Sequence, residues 1–132
     1  MNTARFTVDV QPDKGLFESA VIGFWTLSDV AAFAAAIAAA AKRIQDETGR
    51  APVSVCDYTR AGTQSQEVAD AMEAMMRSPV VRSRRIGIFT GSALARMQAR
   101  RLLAVREEVR FFDTRAEALA WVMADDEGAA ER

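Results

Sequence analysis

RRIGIFTGSALARMQARRLLA, residues 84–104, reads as a strand, a tight turn and a helix in immediate succession. Ile86, Gly87, Ile88 and Phe89 form a short apolar run of strand character. Thr90, Gly91 and Ser92 make the turn. Ser92 stands where a side-chain oxygen is wanted to cap a helix opening at Ala93. Strand, turn and helix are half of a βαβ unit, and the rest of the chain repeats that half-unit. The stretch therefore places the chain among α/β proteins.

Upstream, residues 5–11 alternate, with Phe6, Val8 and Val10 set against Thr7, Asp9 and Gln11, a strand with one dry and one wet face. Pro12, Asp13, Lys14 and Gly15 are a turn by composition. Residues 16–25 form a second strand, apolar on both sides, and the short turn pairs the two as an antiparallel hairpin. Thr26 or Ser28 then caps a long helix reaching about Glu47, with Val30, Phe33, Ile37, Ala40 and Ile44 at helical spacing and Gly49 ending it. Residues 52–59 are the third strand, followed by an Arg60-Ala61-Gly62 loop. Thr63-x-x-Gln66 has the form of a capping box for a second helix, whose stripe is Val68, Met72, Met75 and Met76 and which Ser78-Pro79 stops.

Downstream, residues 109–113 are a fifth strand and Thr114-x-x-Glu117 opens a last helix over residues 115–124, with Ala118, Leu119, Trp121 and Val122 as its apolar face. The order is β-β-α-β-α-β-α-β-α. It predicts a two-layer domain with a mixed, mostly parallel five-stranded sheet and helices packed mainly on one face. Consecutive right-handed crossovers all land on the same side. Residues 1–124 are one domain and residues 125–132 a mobile polar tail.

The chain of 132 residues is 50% hydrophobic and 27% charged, which suits a globular domain. Its longest apolar run, residues 30–41, is mostly alanine and falls short of the ~18–20 residues of a membrane span. The first residues lack a secretory signal, and a lone Cys56 allows no internal disulfide, so a cytoplasmic setting is expected. A net charge of −1 gives no general affinity for nucleic acid. Arginines 77, 82, 84, 85, 96, 100, 101, 106 and 110 nevertheless face only Glu107 and Glu108 between residues 77 and 110, a local positive bias.

The initial hairpin, GFWTLSDVAAF (residues 23–33), RRIGIFTGSALARMQARRL (84–102) and VRFFDTRAEALAWV (109–122) together resemble the SpoIIAA-like, or STAS-like, superfamily, in particular its small stand-alone bacterial members. The resemblance spans residues 5–124. It implies a non-enzymatic regulatory or protein-interaction module. The antagonists of that superfamily carry a phosphorylatable serine in an Asp-Ser-Ser/Thr-Gly motif after the third strand. Asp57 aligns with the aspartate and Thr59 lies near the phosphoacceptor, although Asp-Ser-Ser-Gly itself is absent.

The candidate working surface is therefore the loop after the third strand, with Asp57, Thr59, Thr63 and Ser65 as partner-binding or phospho-switch residues. An alternative is a small-molecule site between the second helix and the sheet, lined by Trp25, Met72, Met75 and Met76. Thr90, Gly91 and Ser92, with Arg96 and Arg100 one helical turn apart, are candidates for an anion such as a nucleotide or phosphate. No catalytic set emerges: the chain has no histidine, and Cys56 sits mid-strand as a small apolar residue. With one cysteine and no loop of spaced acids, neither a metal nor a cofactor is expected. The expected partner is another protein, with no nucleic acid and no membrane span; a homodimer is left open.

Overall fold

The alternation of the first strand is realised in β1 (Phe6–Gln11), where Phe6, Val8 and Val10 are half-buried and Thr7 and Asp9 exposed. The structure, a computed structural model, describes residues 5–78, 83–91, 93, 97 and 108–124. A single 3₁₀ turn (Pro12–Lys14) ends at Gly15, whose φ of 63° only glycine adopts without strain. It leads into β2 (Leu16–Gly23), antiparallel to β1. Helix α1 (Leu27–Thr48) starts at Thr26, not Ser28: the Thr26 hydroxyl accepts from the Asp29 amide at 3.2 Å and the Asp29 carboxylate accepts from the Thr26 amide at 2.8 Å. This reciprocal cap satisfies two of the helix's orphan donors. Gly49, at φ 77°, closes the other end.

Next come β3 (Val53–Ala61), α2 (Gln66–Arg77), β4 (Arg85–Phe89), β5 (Val109–Phe112) and α3 (Arg115–Val122). Ala93 and Met97 are helical and exposed. The tail from residue 125 lies outside the described residues. The sheet order is β1-β2-β3-β4-β5, parallel from β2 onward, so each strand neighbours the next in sequence.

Register determines what each face presents. Val8, Ser19, Cys56, Ile88 and Phe111 lie in one row across the sheet, and Val10, Phe17, Ser54, Ile86 and Val109 in another. Both rows belong to the core that α1 and α2 cover with Val30, Phe33, Ile37, Ile44, Val68, Met72 and Met75. α1 and α2 connect successive parallel strands, and crossovers of one hand place them on one face, as expected.

The last helix departs from this. Ala118 and Val122 of α3 form a separate core with Leu16, Val53, Val55 and Phe89 on the reverse face. There α3 covers the apolar residues that α1 and α2 leave behind. Gly87 admits it: a Cβ there would lie 3.1 Å from the Ala118 Cβ and 3.2 Å from the Ala118 carbonyl oxygen. Arg85, 8% exposed, secures the C-terminal end. Its Nη1 donates to the carbonyls of Trp121 (3.2 Å), Val122 (3.0 Å) and Ala124 (2.7 Å), where a helix presents unpaired acceptors and negative potential. At the other end Arg115 grips Glu18 of β2 through two bonds of 2.7 and 2.8 Å. Thr114 caps α3 through the Glu117 amide, but Glu117 returns its carboxylate to the Thr114 hydroxyl, so only half of the expected box forms.

Candidate functional site

The C-terminal end of β3 is the most irregular part of the sheet. Ala20 pairs with Asp57 and Ile22 with Arg60, so Tyr58 and Thr59 together oppose Val21. This is a β-bulge, a device that re-aims side chains at the rim of a sheet. Asp57 stabilises it: its Oδ1 accepts from the Thr59 amide at 2.8 Å and from the Thr59 hydroxyl at 2.5 Å. Tyr58 turns inward, 6% exposed, while Thr59 and Arg60 are exposed.

The bulge also lengthens the strand. β3 runs on through Ala61, into the segment expected to be loop, and the start of α2 shifts with it. The cap is Ser65, whose hydroxyl accepts from the Val68 amide at 3.2 Å, and not Thr63. Thr63 is exposed and forms no capping bond. Between them Gln64 staples the strand ends. Its Oε1 accepts from the Trp25 amide at 2.8 Å, and its Nε2 donates to the carbonyls of Gly23 (2.9 Å) and Gly62 (3.1 Å). Gly62 must be small here, because a Cβ would lie 3.2 Å from the Gly23 carbonyl carbon. Asp57, Thr59, Thr63 and Ser65 are thus brought to one end of the sheet on a firmly tied backbone. Beside them stands Phe24, 67% exposed, with its ring next to Gly62, and Leu27 at the start of α1 is 45% exposed. Phe24 and Trp25 are adjacent aromatic residues, and nothing in the apolar pattern separates them. Gly23, at φ 72°, ends β2 and turns one ring out and the other in.

On the inner side, a cavity of about 60 Å³ lies between α1, α2 and the sheet. Met72, Met75 and Met76 line it, with Phe33 and Ile37 of α1. Trp25 does not. Beyond the turn at Gly23 its indole packs edge-on against Phe6 and Phe33 at 6.1 and 5.0 Å, and its Nε1 donates to the Arg5 carbonyl at 2.9 Å. The floor is Ser19, Ser54, Cys56 and Tyr58, with Ser83 at the edge. Three small side chains in adjacent rows leave the space that larger ones would fill. The sequence carried this signal in Ser19, Ser54 and Cys56, each in a strand and on the helix-facing side once the register is known. Ser54 donates to Ser83 at 3.1 Å. Burial pushes the Cys56 thiol up to about 11, against a smaller lowering by a hydrogen bond with Ser19. Burial likewise raises the Tyr58 phenol well above its usual range, and the nearby Cys56 adds to it. Both groups are neutral at any ordinary pH and unsuited to nucleophilic or acid–base work.

Of the expected anion site, Thr90 and Gly91 are among the described residues. Thr90 is fully buried and its amide bonds the Phe112 carbonyl at 3.2 Å, so that amide is committed to the sheet. Gly91 is exposed. Ser92, Arg96 and Arg100 lie outside the described residues. Among the described residues no cluster of three His, Cys, Asp or Glu side chains is placed to hold a metal, and no helix is long and apolar enough to cross a membrane.

Two solved structures share this architecture. One is an uncharacterised protein of the DUF3478 family from Shewanella loihica, with a SpoIIAA-like fold: TM-score 0.66, 16% identity, 92% of this chain and 97% of that one covered. The other is an anti-sigma factor antagonist from Mycobacterium paratuberculosis: TM-score 0.59, 16% identity, 90% and 95% covered. No protein-family model and no curated protein matches the sequence. The chain has a SpoIIAA-like fold, the fold implied by its hairpin and its EALAWV ending.

Proposed function

We propose that the protein is a non-enzymatic, cytoplasmic regulatory module that docks another protein through the sheet end formed by Phe24, Leu27 and residues 59–65. The observation that carries this reading is Phe24. A phenylalanine 67% exposed stands on a backbone pinned by Gln64 and by the Arg5 guanidinium, which donates to the Phe24 carbonyl at 3.0 Å. Covering such a ring is worth roughly 1.5–3 kcal/mol, and an exposed aromatic beside a second apolar residue is a common interface anchor. Thr59, Thr63 and Ser65 supply a hydroxyl rim that a partner reads or a kinase modifies. The C-terminal ends of parallel strands are also where open α/β sheets place their ligands. One structural neighbour is an anti-sigma factor antagonist, and a role exercised through a protein partner is of the same kind.

The test is capture from native lysate with cross-linking, comparing wild type, Phe24→Asp and Thr63→Glu. The expected result is a stoichiometric partner whose recovery falls at least tenfold with Phe24→Asp while the melting temperature is unchanged. Equal recovery by wild type and Phe24→Asp would move the surface elsewhere.

The cavity supports a second reading, a small apolar ligand held between α2 and the sheet. Its three methionines are adaptable walls, and the apolar lining does not suit the nucleotide or phosphate of the anion alternative. Native mass spectrometry of protein purified from cells tests it; an apo mass under gentle conditions, with no uptake of added apolar probes, would count against it.

A further inference from the structure

Tyr58 lines the cavity and is 6% exposed, yet its hydroxyl has no hydrogen-bond partner among the described residues. A buried tyrosine hydroxyl ordinarily finds one. Every fully enclosed side-chain polar atom among the described residues is satisfied, so the Tyr58 hydroxyl is one that a water-sized molecule reaches. The other polar groups around the cavity are already occupied: Ser54 with Ser83, and Cys56 with Ser19. Tyr58 is thus the group in the lining left to address an occupant.

The space limits what that occupant is. About 60 Å³ is several times the ~10–15 Å³ that admits one water, and less than half of the ~150 Å³ that takes up benzene. Met72, Met75 and Met76 can widen it through rotamer changes. No lysine or arginine lines the cavity among the described residues. The desolvation that keeps Tyr58 and Cys56 protonated acts equally against a carboxylate or phosphate brought inside.

We infer that the cavity takes a small, uncharged, mostly apolar molecule bearing one hydrogen-bonding oxygen, and that Tyr58 is the residue that recognises this oxygen. The inference rests on the second reading above and adds the chemical class of the ligand and the residue that selects it.

Three probes of equal non-hydrogen atom count separate the possibilities: 2-butanone, 2-methylbutane and propionate. Each is titrated into the full chain carrying ¹³C-methyl methionine, with the methyl signals of Met72, Met75 and Met76 followed by NMR, in wild type and Tyr58→Phe. In wild type, 2-butanone is expected to shift these signals saturably and more tightly than 2-methylbutane, and propionate not at all. Tyr58→Phe should weaken 2-butanone roughly three- to tenfold, the effect of one neutral hydrogen bond, and leave 2-methylbutane unchanged. Equal affinity of 2-butanone and 2-methylbutane in wild type overturns the role of Tyr58 without recourse to the variant. Binding of propionate overturns the selection against charge. If only the hydrocarbon binds, the cavity reading survives and this inference fails; if no probe moves any of the three signals, both fail.

Discussion

Placing a methyl group on Gly87 tests how α3 is docked. In Gly87→Ala the new Cβ would stand 3.1 Å from the Ala118 Cβ, 3.2 Å from the Ala118 carbonyl oxygen and 3.2 Å from Val122 Cγ1. Two of these neighbours are parts of the α3 backbone or its first side-chain atom, and the third belongs to a stiff β-branched residue, so none can swing aside. Two effects oppose each other. Replacing glycine by alanine lowers the entropy of the unfolded chain, a gain of about 0.4–1 kcal/mol where the site has room. Overpacking a tight contact costs about 1–3 kcal/mol. The second dominates, for a net loss of roughly 0.5–2 kcal/mol, or about 2–8 °C in melting temperature for a chain of this size. Gly91→Ala is the control, since a Cβ there meets nothing within 4 Å and should shift the melt by less than about 2 °C. The assay is urea unfolding with thermal melting. Near-ultraviolet circular dichroism would report the environment of Trp121, which lies 5.9 Å from Phe112 and beneath the Arg110 guanidinium. A Gly87→Ala protein as stable as wild type, with an unchanged Trp121 signal, would refute the close docking of α3 on β4.

Three further outcomes follow from the site. Cys56, with its thiol raised to about 11 from an ordinary 9.0, should react with a thiolate-selective disulfide reagent at pH 8 about a hundredfold more slowly than in urea-unfolded protein; equal rates would mean that burial does not protect it. Ser65→Glu removes the α2 cap and should cost about 1 kcal/mol, whereas Thr63→Glu should stay within about 0.5 kcal/mol in the same melting experiment; the reverse order would restore Thr63 as the cap. The hydrogen bond and charge of Arg115 hold the Glu18 carboxyl below its ordinary 4.5, so this pair contributes stability above the unfolded-state value and loses it as pH falls through the lower folded one. Since Arg115 is more than half exposed, Arg115→Met should lower stability at pH 7 by only about 0.2–1 kcal/mol, and the difference should close as the Glu18 carboxylate is protonated in acid; a pH-independent difference would show packing rather than charge to be responsible.

Local signals carried most of the fold. The alternation of Phe6 to Gln11, the Thr26 cap, the Val30-Phe33-Ile37 stripe and Gly49 all act within a turn or two of chain, and each is found where its own chemistry puts it. Misreadings arose where a long-range event intervened. The bulge at Tyr58 and Thr59 adds a residue to β3 without disturbing the apolar pattern, so the cap falls at Ser65, two residues beyond the Thr63 that the local signal points to. The reverse-face position of α3 depends on Val53, Val55 and Phe89 sharing a face with Leu16, which only the register reveals. Trp25 and Phe24 are neighbours of like character, and the positive φ of Gly23 decides which one is buried. The cavity arises from the juxtaposition of Ser19, Ser54 and Cys56 across two strands, a relation no single strand displays.

Gln64 has a consequence for how any association at this end of the sheet proceeds. Its amide joins Trp25, Gly23 and Gly62 at once, so the segment from Gly62 to Ser65 is already held in one conformation in the free protein. A slack loop of the same length would surrender roughly 4–8 kcal/mol of backbone freedom on contact, at about 1–2 kcal/mol per residue. Here that loss has been met during folding, and encounter begins from a finished template. For the docking proposed above, adaptation would then fall on the partner, and less of the contact energy would be lost to ordering this segment.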